Sequence, residues 1–159
     1  MTPADVCEVH RIGEIVHPAY PEDIEVVRER LALFPAGCFV ADAKDSLLGY
    51  ALSHPSVIGK PPALDSMLGQ LPEDANCLFL HDIALTEASR GLGLGRSLLD
   101  RLKAAAQRST LGRIALVSVN NSRGYWQAQG FRVFEADEAL AAKLASYGDD
   151  AAYMVLEIA

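Results

Sequence analysis

Cysteine is scarce and scattered. Cys7, Cys38 and Cys77 are the only three, and no CxxC pair occurs, so neither a disulfide framework nor a zinc site is expected. Reduced, buried thiols in a cytoplasmic protein are the reading that remains. Long apolar runs are also missing. The longest are strand-sized, which excludes a transmembrane helix. The opening residues, MTPADVCEVHR, carry no apolar signal core, so no secretory leader is expected there. Basic residues are in the minority, 14 against 21 acidic ones, for a formal net charge of -7. A general nucleic-acid binder would need the opposite balance. A cationic partner is mildly favoured.

What is present is globular. Half of the 159 residues are hydrophobic (50%) and 22% are charged, a composition that buries a core rather than staying disordered. The length suits one domain, 1–159, with no repeat and no dividing linker.

Hydrophobic spacing gives an alternating order of elements. Thr2-Pro3 opens a helix carried by Val6, Val9, Ile12 and Val16 to about His17. The stretch HPAYPED breaks it. Ile24, Val27, Leu31 and Phe34 make a second helix, ended by Pro35 and Gly37. CFVAD and LLGYALSH read as a hairpin joined by AKDS. A long proline-containing connection, residues 55–76, has the character of a binding loop or lid. CLFLHDIAL is the next strand, followed by a glycine-rich turn and a helix from about Gly93 to Arg108. RIALVSVN, apolar on both parities, is a buried central strand. The three form a strand–helix–strand unit, expected to be parallel and right-handed. A short helix near Tyr125–Gln129, a strand at Phe131–Phe134, a helix from Glu138 to Tyr147 and a final strand, AYMVLEI, complete an α/β chain with a mixed sheet.

The turn RGLGLGRS places Gly91, Gly93 and Gly95 where a strand hands over to a helix. Bare backbone at a helix start presents unpaired N–H groups and the positive dipole end, which suits a phosphate. Arg90 and Arg96 make this corner locally basic. A P-loop needs a GK pair, and none follows here. A dinucleotide fold needs GxGxxG and an acid at the end of the next strand, where this chain has GxGxG and Asn120. What fits is RxxGxG, as Arg90, Gly93 and Gly95. A plain glycine-rich turn is the alternative.

A second stretch, SVNNSRGYWQAQGF, follows one strand later. It sets Asn120 at a strand end, then a short helix with an aromatic four residues before Gly130-Phe131. The two motifs, in this order and at this distance, resemble the GNAT superfamily of N-acetyltransferases. LHDIAL…RGLGLG looks closest to its arylalkylamine N-acetyltransferase-like branch. The resemblance is specific from Leu78 to Phe131. It implies a three-layer fold: a twisted mixed sheet with helices on both faces, whose fourth and fifth strands splay around coenzyme A. Two departures stand out. No strand precedes the first helix in this sequence, so the family's first edge strand is expected to be missing, truncated or replaced. Trp126 stands where the family often has a tyrosine acid, with Tyr125 one residue earlier.

The implied reaction is acetyl transfer from acetyl-CoA, as co-substrate, to an amine, with no metal. An alkylamine has a pKa near ~10.4, so presenting it neutral at pH 7 costs about 4–5 kcal/mol. A base recovers part of this. His81 is the candidate, supported by the histidine that the arylalkylamine enzymes place at the matching position. Strand alternation turns Asp82 to the opposite face. Tyr125 is the candidate acid for the leaving thiolate, with water, Tyr147 or Tyr153 as substitutes. The resemblance gives the cofactor contacts to Arg90, Gly91, Leu92, Gly93, Leu94, Gly95, Arg96 and Ser97 at the turn. It gives Ile83, Ala84, Leu85, Asn120, Asn121 and Trp126 along the pantetheine arm, with the amides of Ala84 or Leu85 facing the oxyanion. Tyr20, Phe34 and His54 are expected walls of the acceptor site. The partner is a small-molecule or peptide amine, not nucleic acid or membrane, and a homodimer is allowed. The rival readings are a protein lysine or N-terminal acetyltransferase, and a CoA-binding module with little catalysis.

Overall fold

The computed structural model describes residues 1–44 and 46–158. Asp45, in the expected hairpin turn, and Ala159 lie outside the described residues.

Two helices come first, α1 (Val6–Val16) and α2 (Ile24–Leu33). Val6, Val9 and Ile12 fall on one stripe of α1 and are buried; α2 buries Val26, Val27 and Leu31. Asp23 caps α2 by accepting from the Glu25 amide. The strands β1 (Phe39–Ala43), β2 (Ser46–Ser56) and β3 (Cys77–Leu85) follow as an antiparallel meander. Next come α3 (Leu94–Arg108), β4 (Arg113–Ser118), α4 (Arg123–Ala128), β5 (Arg132–Val133), α5 (Glu138–Ala145) and β6 (Ala152–Glu157). The six strands form one mixed sheet in the order β1-β2-β3-β4-β6-β5. Among the described residues no strand precedes α1, so the β1–β2 hairpin supplies one edge.

Helices cover both faces. On one, Leu98, Leu99, Leu102 and Ala105 of α3 pack with Trp126 of α4 against Leu78, Leu80, Ile114, Leu116 and Met154 of the sheet. On the other, α1 and α2 cover Tyr50, Leu52 and Ala84, while Leu140 of α5 joins Phe79, Ala115 and Tyr153. Each fully buried leucine here contributes about 1.5–3 kcal/mol.

Two irregularities create the site. The parallel pair β3–β4 is in register only from Leu78↔Ile114 to Leu80↔Leu116. Beyond that, His81–Leu85 keep β2 on one side but lose β4 on the other, so the strands splay. The second is a bulge. Leu52 pairs with Asp82, yet the next residue, Ser53, pairs with Leu80. His81 is therefore an extra residue on β3, and extra residues cancel the alternation of faces. His81 and Asp82 open to the same side, which corrects the expectation that only one faces the cleft.

Candidate functional site

The splay holds a cavity of about 210 Å³, lined by His81, Asp82 and Ile83 of β3, Leu116 and Val117 of β4, Asn120 and Ser122 beyond it, and Trp126. His17, Tyr20 and Glu22, from the α1–α2 connection, and Leu64 and Tyr147, from the loops opposite, close its other end. Most of this lining is apolar. The imidazoles and carboxylates, His17, Glu22, His81 and Asp82, cluster on one wall.

His81 anchors that wall. Its Nε2 lies 2.9 Å from Glu22 Oε2, and both side chains are largely shielded. Beside it, His17 Nε2 donates to the Ile83 carbonyl at 2.8 Å and stands 3.3 Å from Asp82 Oδ1. The Tyr50 hydroxyl donates to the other Asp82 oxygen. The Asp82 hydrogen bond holds the His17 imidazole above its ordinary range, against the opposing effect of burial. Burial pushes the Asp82 carboxyl up, but His17, Tyr50 and the nearby His81 outweigh it and hold Asp82 below the usual carboxylate range.

The exposed backbone of β3 can be assigned from two bonds. The Thr86 amide points to β2, donating to the Leu48 carbonyl, whereas the Ile83 carbonyl points away, to His17. Alternation then turns the amides of Ile83 and Leu85 to the splay and that of Ala84 to β2. Ala84 is 1% exposed in the helix-covered face. This corrects its expected contact; Leu85 remains available.

The glycine turn forms a second, larger hollow of about 840 Å³, lined by Leu85, Arg90, Gly91, Gly93, Leu94, Gly95, Arg96, Lys103 and Tyr125. Gly91 and Gly93 have φ of +78° and +68°, the left-handed region that other residues enter at a cost. A side chain on Gly95 would meet the Tyr125 hydroxyl at 2.5 Å. The first amides of α3, from Leu94 to Arg96, precede the helix's own hydrogen bonds, whereas that of Ser97 already bonds to the Gly93 carbonyl. Ser97 therefore has no amide to offer, and Leu92 projects outward, 59% exposed. Bare backbone, three cationic side chains and a helix start fit a pyrophosphate.

The other expected residues separate. Tyr20 lies in the cleft, its hydroxyl donating to the Tyr147 carbonyl at 2.7 Å. Asn120 lines the cleft in the left-handed region; Asn121 is exposed and gives its amide to Asp150. Trp126 faces the cleft, while Tyr125, packed edge-on against it at 5.0 Å, faces the glycine turn. Tyr153 is fully buried in the core. Phe34 is not a cleft wall: it ends α2 and packs against the cluster beneath α3, in space left by Gly37. His54 is not one either. The central strand β2 buries it to 1% behind Phe79, 6.1 Å from His81. Glu22, Asp82 and Tyr50 were not singled out as site residues from sequence. The signal for Glu22 was its place in HPAYPED, two residues after Tyr20, an expected acceptor wall.

The family model described as Acetyltransferase (GNAT) family matches residues 9–131. The chain belongs to the GNAT acetyltransferase family. Solved structures share the fold at low identity. A GphF GNAT-like decarboxylase in complex with isobutyryl-CoA superposes with a TM-score of 0.77 at 14% identity, covering 99% of this chain and 96% of the other. Ard1 from Thermoplasma volcanium gives 0.75 at 14%, covering 100% and 95%. The ribosomal-protein-S18-alanine N-acetyltransferase from Escherichia coli gives 0.66 at 15%, covering 100% and 91%. No curated protein matches the sequence significantly. Among the described residues no cluster of three or more His, Cys, Asp or Glu is placed to hold a metal, and no helix is long and apolar enough to cross a membrane.

Proposed function

We propose that this GNAT protein is an N-acetyltransferase that moves an acetyl group from acetyl-CoA to a primary amine by direct attack, with His81 as general base. The observation that carries the reading is the paired placement of a shielded histidine inside the splay and a basic glycine turn on the hollow beside it. Acetyl-CoA, when bound, supplies the activated thioester. Gly91, Gly93, Gly95, Arg90 and Arg96 hold its pyrophosphate. The free backbone of Ile83 and Leu85, with Asn120, holds the pantetheine arm.

His81 takes the proton that the amine must lose, and the amine nitrogen forms the C–N bond as the C–S bond breaks. The Ile83 or Leu85 amide donates to the carbonyl oxygen as it gains charge. The thiolate leaves with the electron pair of the broken bond and is protonated. It is a fair leaving group, its thiol pKa being near ~8.5, so the acid is less demanding than the base.

The Escherichia coli structure named for N-acetylation of a ribosomal-protein alanine supports a peptide amine as one acceptor class, and the small apolar cleft supports a small amine as the other. Release of free CoA, measured across alkylamines, arylalkylamines, polyamines and short peptides, decides between them. Amine-dependent turnover that falls in His81→Ala most at neutral pH, and least where free amine is plentiful, is expected. Acetyl-CoA binding without turnover on any amine would leave a binding module instead.

A further inference from the structure

We propose that Glu22 is a positioning residue for His81, keeping the imidazole proton on Nε2 and so reserving the Nδ1 lone pair as the base. The inference rests on the reading of His81 as base. Its ground is a contact between residues 59 apart in the chain, Glu22 Oε2 to His81 Nε2 at 2.9 Å. An ionised carboxylate only accepts hydrogen bonds, so the nitrogen facing it carries the hydrogen. A neutral imidazole has one N–H, and Nδ1 is then bare. Which ring nitrogen is protonated is set by the bond the other one makes.

Glu22 is itself held in place. His10 Nε2 donates to the Glu22 carbonyl at 2.9 Å, tacking the α1–α2 connection onto α1. The carboxylate side chain is 16% exposed and the imidazole 6%, so water competes weakly for either. When His81 takes the amine proton, both ring nitrogens carry hydrogen and Glu22 faces the new positive charge. The carboxylate stabilises that charge without accepting the proton. The charged and titratable groups around the pair are His17 and Asp82 on the cleft wall, Arg30 from α2, Tyr50 and His54 from β2, and Tyr147 from the loop before β6.

The test compares wild type with Glu22→Gln, Glu22→Asp and His81→Ala, in amine-dependent CoA release and in nitrogen NMR of the His81 ring. Wild type should show the neutral ring protonated on Nε2. A glutamine both donates and accepts, so Glu22→Gln should mix the two tautomers. It should lower kcat about tenfold to a hundredfold with little change in amine KM. Glu22→Asp should restore most of the rate. A purely structural loss would leave the ring on a single tautomer. Wild-type kcat in Glu22→Gln, a loss confined to KM, or an Nδ1-protonated wild-type ring would overturn the proposal. His81→Ala as active as wild type would instead refute the base itself, while the NMR result still decides whether Glu22 holds the tautomer.

Discussion

His81 and Asp82, adjacent on β3, open onto one cleft because the pairing with β2 skips a residue between Leu52 and Ser53. A regular strand would have sent one of them into the helix-covered core or under α3. The bulge instead sets an imidazole and a carboxylate side by side at the point where β4 departs. Each finds its own partner across the α1–α2 connection, Glu22 for His81 and His17 for Asp82.

The His17–Asp82 pair should leave a pH signature in stability. His17 is held above its ordinary 6.5, so its contribution is complete below that pH and fades as pH rises through the raised value. Asp82 is held below 3.8, so its contribution is present above that value and is lost as pH falls through the lowered one. The pair is strongest between the two. Asp82→Asn should cost about 1–3 kcal/mol at pH 5.5 and distinctly less at pH 9. Urea unfolding of both proteins at the two pH values checks this; a gap independent of pH would mean that the charges are not what matters.

His54 should make the protein acid-sensitive. Burial pushes its imidazole down to about 4 from 6.5. Nδ1 faces the Pro55 carbonyl at 3.0 Å and so carries the proton, while Nε2 is buried without a hydrogen-bond partner. The unfolded chain binds a proton that the folded one refuses, so stability falls as pH drops from 6.5 towards 4, by about 3 kcal/mol. His54→Phe, which keeps a ring against Phe79, should remove most of that slope. Denaturant titrations at pH 6.5 and pH 4 give the comparison, and equal slopes in both proteins would show that His54 is not the sensitive group.

These two histidines also mark where the sequence stopped being informative. The helices and strands were legible because each repeats its apolar residues at its own period, as Val6, Val9 and Ile12 do in α1. The glycine turn was legible because it is local: Gly91, Gly93 and Gly95 specify a backbone that no distant residue need complete. The bulge was not, because it exists only in the pairing of β3 with β2. Glu22 was passed over because its partner is 59 positions away. Phe34 and His54 went to the wrong side for a related reason. Whether an aromatic lines a cleft or fills a core depends on what packs against it, and in both cases that came from elsewhere in the chain.

The glycine turn predicts two variants of different character. Gly93 sits at φ +68° with open space around it, so a side chain there brings backbone strain of about 1–2 kcal/mol and no clash. Gly95 has no such strain, but a side chain would push aside the Tyr125 hydroxyl. That ring is partly exposed and can yield. Gly93→Val and Gly95→Val should both stay folded and bind acetyl-CoA at least tenfold more weakly, because a side chain holds the pyrophosphate off the amides. Calorimetry on folded variants measures it. Undiminished affinity would remove the pyrophosphate from this turn.

Tyr125 lines the hollow at the glycine turn and not the cleft, and so tests the assignment of the acid. The sequence offered it as the donor to the departing thiolate. The fold turns it the other way: on α4 it is one residue, about 100° of helix, from Trp126. Trp126 faces His81's cleft, while the Tyr125 hydroxyl lies against Gly95 among Arg90, Arg96 and Lys103. A hydroxyl at a helix start, among cations, is placed to donate to phosphate oxygen. Tyr125→Phe should therefore raise the dissociation constant for acetyl-CoA about tenfold or more, the loss of one hydrogen bond to a charged group, and leave kcat at saturating acetyl-CoA within about twofold. Steady-state kinetics, run where chemistry limits the rate, separates the two parameters. A tenfold fall in kcat at unchanged affinity would return Tyr125 to the thiolate. With kcat intact, the proton must come from another donor on the cleft side of Trp126, where Tyr147 is tied through its hydroxyl to the Pro62 carbonyl and Ser122 lines the wall.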